Sequence, residues 1–528
     1  MIKNGSVCKI EKKLIIGLKG KPSMKRKLKL FFILILTLLF STSCEKKNKS
    51  ENALTINICS EPHSLDPRRS RDLNDINVSN MLFDGLFRIS FEGKLEPALV
   101  ESYTISEDKK KYTFKLKDSY WSNNEKLTAY DFEYTYKKNL SLDFPSSKSF
   151  SLFIIKNAKA AKDGKISVDE VGVKALDNST LEIQLENICP YFLKLLTQPS
   201  FFPVNKKIDL KDPNWAISAK NFVSNGPFKI SNWNHNDKIE IVKNENYHDK
   251  DKVKLSKIDL IFVTIEVEKN MFETGEIHIA GSPLSFIPVD SIKSMKGDKN
   301  FYISPYNGTS FLRINVEKIN DKEFRKAILN AIDREKITKH VLQGGQIPTK
   351  RLVPNDSLQK IKIEKKDFSN KTLTITYINY DRAHVLMQAV QQDLKDNLNL
   401  TVKLNGLEKN VFYEKIRSKD YEVAASSWIA DFDDSINFLN VFKYNNSSSN
   451  NTGWENIDYI SLLEDSETIS DEEERKKILL KAEEILLDEA PIIPICYLSL
   501  NYLKRDSLKD IKIYPSGVID FKYAYLEK

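Results

Sequence analysis

The stretch "AASSWIADFDD", residues 424–434, puts a carboxylate where carboxylates are costly. Ala424 to Ala430 are small or apolar apart from two serines, and they read as the end of a buried strand. Asp431 follows directly, next to Trp428, Ile429 and Ala430. A carboxylate withdrawn from water is unfavourable unless paired. An aspartate at a pocket edge, with no partner from the protein itself, is therefore a standing site for a cation. The residues alone also allow a solvated loop acid, which is the expectation for Asp433 and Asp434.

Other chemistry is scarce. There is no GxxxxGK phosphate loop, no GxSxG nucleophile elbow, no HExxH and no GxGxxG. His63, His235, His248, His278, His340 and His384 are scattered, with no pair at helical or finger spacing, so no metal or other cofactor is expected. A dispersed carboxylate pair of the glycosidase kind would leave no trace in sequence, and nothing points to one. Cys59, Cys189 and Cys496 show neither CxxC spacing nor the density of a disulfide framework. They read as small buried hydrophobes. No nucleophile motif is visible, which counts against an enzyme.

The 528 residues exceed what one core usually serves, so two or three domains are expected. The net charge of +8 is misleading. Residues 1–43 hold ten Lys/Arg against one acid, which leaves the remainder at −1 and gives it no global reason to bind nucleic acid. From Met24, a basic segment precedes an apolar run, Leu30 to Phe40, that is too short to span a bilayer but suits a signal peptide. Residues 1–23 read as an upstream extension. Ser41-Thr42-Ser43-Cys44 resembles the lipobox of bacterial lipoproteins, with Cys44 as the acylated residue, although Ser41 replaces the usual leucine. An ordinary cleavable signal with a chance cysteine is the alternative. Residues 44–53 would then form a lipidated, solvated tether.

The elements that must position Asp431 are legible in outline. Strands are expected at 54–60, 110–118, 179–187 and twice within 237–263, by alternation and β-branching. Thr128 and Asp131 resemble a capping box for a helix through Leu140. Helices are expected over 321–342, 382–398 and, capped by Ser470 with Glu473, up to Ala490. Strands follow at 372–379, from Leu400 and from Pro491, suggesting one open, mostly parallel sheet. "NNSSSNNTG" (445–453) reads as a polar surface loop.

Several stretches, in order, carry a family resemblance. They are "EPHSLDP" (61–67), the long segment 97–138, "PYFLKLLTQPSFFPV" (190–204), "SNGPFKISNW" (224–233), "SPYNGTSFLRIN" (304–315), "EFRKAILNAIDREKI" (323–337) and "DYEVAASSWIADFDD" (420–434). Together they resemble the peptide-binding class of extracytoplasmic solute-binding proteins, family 5, which serve ABC importers. The resemblance covers roughly residues 51–528. It implies an α/β, periplasmic-binding-protein-like fold of class II, two hinged lobes plus an inserted α+β domain. Domain I would comprise 54–75, 204–306 and 502–528, domain II 76–203 and domain III 307–501. A short peptide would lie extended against a strand edge between the lobes.

The same resemblance implies that Asp431 pairs with the peptide's α-ammonium. Trp428, Ile429 and Ser427 would form the strand along its backbone, with Glu61 facing it. For Glu61 the residues equally allow a surface turn acid before Pro62, and for Tyr306, at the crossover, they allow either a ligand contact or core packing. Arg417 reads as a solvated helix-end charge, and Trp121, Tyr130, Phe132, Tyr134 and Tyr136 as packing. Asn124 stands where the family usually has a turn glycine, and asparagine tolerates positive φ. Some relatives place an arginine at the position of Ala425 to meet the ligand's carboxylate, and bridged cysteines at those of Gly308 and Ile429; this chain has neither. The expected partners are short peptides, an ABC permease and a membrane through the lipid anchor. The expected state is a monomer on the extracytoplasmic or periplasmic side. Alternatives are a murein peptide, glutathione, haem or a nickel chelate on the same fold, or a secreted hydrolase.

Overall fold

The computed structural model describes residues 52–70, 72–146, 148–354 and 362–527. The signal segment, Cys44 and nearly all of the tether lie outside the described residues.

Three main sheets organise the chain. The first runs Ala53–Asn57, Lys257–Ile261, Lys238–Lys243, Phe228–Asn234 in spatial order. Its first pairing is parallel and the others antiparallel. The second is an antiparallel sheet of Val100–Ile105, Lys111–Leu116, Thr180–Gln184 and Val173–Asp177. Its alternation is the expected one: Tyr112, Phe114 and Leu116 are buried on one face. The third has seven strands, in the order Ile279–Gly281, Ile492–Lys504, Phe301–Ile314, Val423–Ile429, Thr372–Ile378, Thr401–Leu407, with Ile347–Pro348 beside Ile492–Lys504. Only the pairings of Thr372–Ile378 are parallel, so the expected mostly parallel sheet is instead mixed. Two long strands, Phe301–Ile314 and Ile492–Lys504, run antiparallel along most of their length and dominate the ladder.

Helix Ala129–Leu140 begins where its cap dictates: the Thr128 N–H meets the Asp131 carboxylate at 2.9 Å. Phe132, Tyr136 and Leu140 form its buried stripe, each worth about 1.5–3 kcal/mol of burial. Trp121 is buried too, whereas Tyr130 is exposed and Tyr134 is half-buried, its hydroxyl donating to Asp209. Asn124 sits at φ 68°, as its turn requires. Helices Lys322–Ala331 and Asp381–Leu398 cover the seven-stranded sheet, with Ile328, Val390 and Leu394 in a core shared with Leu312 and Ile375.

Four expectations are corrected. The helix expected over 321–342 breaks at Ile332, which is extended. Asp333 caps a new short helix, its N–H donates to Asp393 at 2.9 Å, and Arg334 turns fully inward to donate to the Pro494 carbonyl. The last long helix, Glu472–Glu489, is capped by Asp471, while Ser470 accepts from Lys109. The 445–453 loop is a surface loop only in its first half: Asn445, Asn446 and Ser448 are exposed, but Asn450 and Thr452 are buried, and Arg313 donates at 2.8 Å to the carbonyls of Ser449 and Asn450. Cys189 and Cys496 are buried as expected, but Cys59 is half-buried at φ 61°.

"SNGPF" has a clear packing role. The Gly226 N–H donates to Leu82 O at 2.8 Å, and Asn225 binds Asp84 through both its N–H and its carbonyl. A Cβ on Gly226 would lie 2.5 Å from Leu82 C and Phe83 N, backbone that ends helix Leu73–Leu82. Gly226→Ala is therefore expected to destabilise the protein by about 2–3 kcal/mol, read from urea unfolding at constant slope. An unchanged midpoint would contradict this close approach.

Candidate functional site

The site grows out of strand Val423–Ile429. It pairs antiparallel with Phe301–Ile314, setting Gly308 opposite Ile429, Thr309 opposite Trp428 and Ser310 opposite Ser427. On its other side it pairs with Thr372–Ile378 only at Val423 and Ala424. From Ala425 to Ile429, no strand among the described residues covers that edge. Such an edge offers backbone N–H and C=O groups to an incoming extended chain. Alternation sends Ser426 and Trp428 to one face and Ser427 and Ile429 to the other. Ser427 and Ile429 are exposed.

Trp428 lines a cavity of about 300 Å³ together with Asp431, Phe432 and Asn437. Lys148 and Phe150 line it from a second chain segment, Tyr191 and Gln198 from a third, and Pro67 and Ser70 from a fourth. Asn437 fixes the geometry at the strand's end. Its Oδ1 accepts from the Trp428 indole at 2.8 Å and from the Asp431 N–H at 3.4 Å. Gln198 donates to the Asp431 carbonyl at 2.5 Å. The Asp431 backbone is thereby held from both sides.

The expectation that Asp431 has no protein partner is corrected. The Lys148 ammonium lies 3.0 Å from its Oδ1, brought there by the short helix Ser149–Leu152. The pair stays open to solvent, at 27% and 31% side-chain exposure. The neighbouring acids behave differently. Asp433 is exposed, as expected, and its carbonyl accepts from Lys194 at 2.7 Å. Asp434 is not solvated: Arg475 grips it with two bonds of 2.8 Å, both side chains nearly buried. Phe432 stacks on Tyr191 at 5.2 Å between centroids and 10° between planes. Residues 431–434 thus tie the strand's end to segment 191–198.

Glu61 and Tyr306 lie apart from this cavity. Glu61 accepts from the Trp233 indole and His235 Nδ1, each at 2.6 Å, and from the Asn236 N–H at 2.9 Å. Burial pushes its pKa up, but these hydrogen bonds outweigh it and hold the carboxyl below its usual range. Its valences serve the hairpin between Phe228–Asn234 and Lys238–Lys243. The Tyr306 ring packs beside Leu73 and Gly517, where burial pushes its phenol up to about 12. Arg417 is exposed at the end of helix Lys409–Arg417.

Buried ion pairs tie down the segment from which Pro67 and Ser70 line the cavity. Pro67 and Ser70 flank Arg68, whose buried guanidinium bridges Asp66 at 2.8 Å and Asp209 at 2.7 Å. Asp209 also accepts from Tyr134 and from the Trp215 indole. Among the described residues no group of three His, Cys, Asp or Glu gathers to hold a metal, and no helix is long and apolar enough to cross a membrane. A second depression, of about 620 Å³, is lined by apolar residues such as Leu73, Phe262 and Phe286 together with the acids Asp72 and Glu266, and no sheet edge of the kind found at Ala425–Ile429 is among its lining residues. What the first cavity offers is recognition: a strand edge, a carboxylate and aromatic walls.

Sequence reasoning missed Lys148, Tyr191, Gln198 and Asn437. "PYFLKLLTQPS" contains two of them and is a stretch that carries the resemblance, which was the one available pointer.

Comparison with known proteins places the fold. The chain is 36% identical over 515 residues to the oligopeptide-binding protein OppA of Bacillus subtilis, covering 92% of this chain and 94% of that protein. The solved structure of Listeria monocytogenes OppA bound to peptide superposes with a TM-score of 0.75 at 28% identity, covering 91% of this chain and all of that one. The Escherichia coli murein tripeptide binding protein MppA superposes with a TM-score of 0.77 at 26% identity, covering 91% of this chain and 99% of that one. Both share the mixed α/β, class II binding-protein fold described above. Residues 94–450 match the family described as bacterial extracellular solute-binding proteins, family 5 Middle. The chain belongs to the bacterial extracellular solute-binding proteins of family 5.

Proposed function

We propose that this protein captures short peptides outside the cytoplasmic membrane and delivers them to an ABC-type permease, without catalysis. One observation carries the reading: the uncovered edge of Ala425–Ile429 leads straight to the Asp431 carboxylate in a walled cavity. Amides bound along the edge and an ammonium at Asp431 define a peptide with a free amino end. Trp428 and Asn437 hold that geometry, while Ser427 and Ile429 present the strand. Similarity to oligopeptide-binding relatives supports the same ligand class. Anchoring through Cys44, a monomeric state and the division into domains at 54–75, 76–203, 204–306, 307–501 and 502–528 belong to the same proposal.

Native mass spectrometry of the purified protein, followed by denaturing release, tests it. The expected result is a heterogeneous ladder of co-purified peptide masses. A single discrete mass would favour a specialised ligand such as a murein peptide. That second reading draws on the likeness to MppA and on Ala425, which supplies no arginine for a ligand carboxylate. Release of no peptide at all would count against both.

A further inference from the structure

We propose that Lys148 is an internal competitor of the ligand: its ammonium takes the place at Asp431 that the peptide's α-ammonium must occupy, and so sets the affinity. This rests on the reading of Asp431 as the amino-end site. The two groups are 3.0 Å apart, line the same cavity and come from positions 283 residues apart.

The chemistry of the pair is that of a replaceable counter-ion. The Asp431 backbone is fixed through Asn437 and Gln198, so the root of its side chain stays in the cavity whichever cation the carboxylate meets. Lysine carries a compact charge on a flexible stem and can withdraw from its partner. A pair this exposed contributes little, since water screens its attraction and ordering the lysine stem costs entropy. The contrast with nearby acids is instructive. Asp434 and Asp209 are gripped by the largely buried guanidiniums of Arg475 and Arg68 and have no freedom to exchange. Of these three acids, Asp431 is the one whose charged partner is a lysine within 3.0 Å, suited to leaving. A withdrawn Lys148 stays near the bound ammonium and repels it, so its presence lowers affinity in both states.

Calorimetry with tri- and tetra-alanine, each with a free and with an acetylated amino end, tests this on the wild type, Lys148→Met, Lys148→Gln and Asp431→Ala. Both Lys148 variants are expected to bind the free-amine peptides about fivefold more tightly, with the acetylated forms unmoved. Weaker binding of both peptide forms would overturn the proposal, because Lys148 would then be supporting the ligand or the fold. So would unchanged free-amine affinity alongside a damaging Asp431→Ala, an outcome that leaves the amino-end reading intact. If Asp431→Ala also changes nothing, the amino-end reading fails with it. Thermal melting of each variant separates loss of fold from loss of recognition.

Discussion

Asp431→Ala is expected to weaken binding of tri- and tetra-alanine by about 2–5 kcal/mol, because a desolvated ammonium loses its only carboxylate. Two features push the effect upward. The nearby Asp434 is committed to Arg475 and cannot swing in to replace the lost charge. The substitution also leaves the Lys148 ammonium in the cavity without a counter-charge, facing the peptide's own. Acetylated peptides should bind the wild type and the variant alike. A loss of less than about threefold in calorimetry would remove Asp431 from the recognition site.

Arg68→Met should lower stability by about 3–5 kcal/mol at neutral pH, since removing one partner of a buried ionic group strands the others. Arg68 is 1% exposed and satisfies two carboxylates, Asp66 and Asp209, whose side chains are 5% and 9% exposed. The loss should depend on acidity. Burial acts to raise the Asp209 pKa, but the hydrogen bonds and charge of Arg68 outweigh it and hold the carboxyl below its usual value of 3.8. A depressed carboxylate stabilises fully above its unfolded pKa, and that stabilisation is lost as pH falls through the folded value. The gap between wild type and variant should therefore be widest at neutral pH and narrow below about pH 4. Urea unfolding at several pH values reads both effects, and a gap that widened on acidification would refute the assignment.

Local pattern and long-range contact divide what the sequence makes legible from what it hides. Helix Ala129–Leu140 could be read because its cap lies three residues from its partner and its apolar stripe repeats within the helix. The break at Ile332 could not, because apolar periodicity continues through it. The cause is the contact of Asp333 with Asp393, sixty residues on. The site divides in the same way. Asp431 stood out by its setting after an apolar run, and the resemblance gave it a role. Lys148 arrives from a nondescript "SSKSF" and has no local mark. The partners of Glu61 leave no local mark either, because the hairpin that holds it, near Trp233 and His235, lies far along the chain. The mixed sheet reads as mostly parallel in sequence because strand–helix alternation is visible there and strand direction is not.

The edge from Ala425 to Ile429 also has a price in colloidal behaviour. An unpaired edge will template any extended chain, including the unfolded segments of other copies, and long apolar edges of this kind seed fibrils. Here the hazard is contained by the edge itself. It is short, Ser426 and Ser427 interrupt its apolar character, and pairing with Thr372–Ile378 takes over again at Ala424. A single short strand can dock there, but a growing stack finds too little ladder to extend.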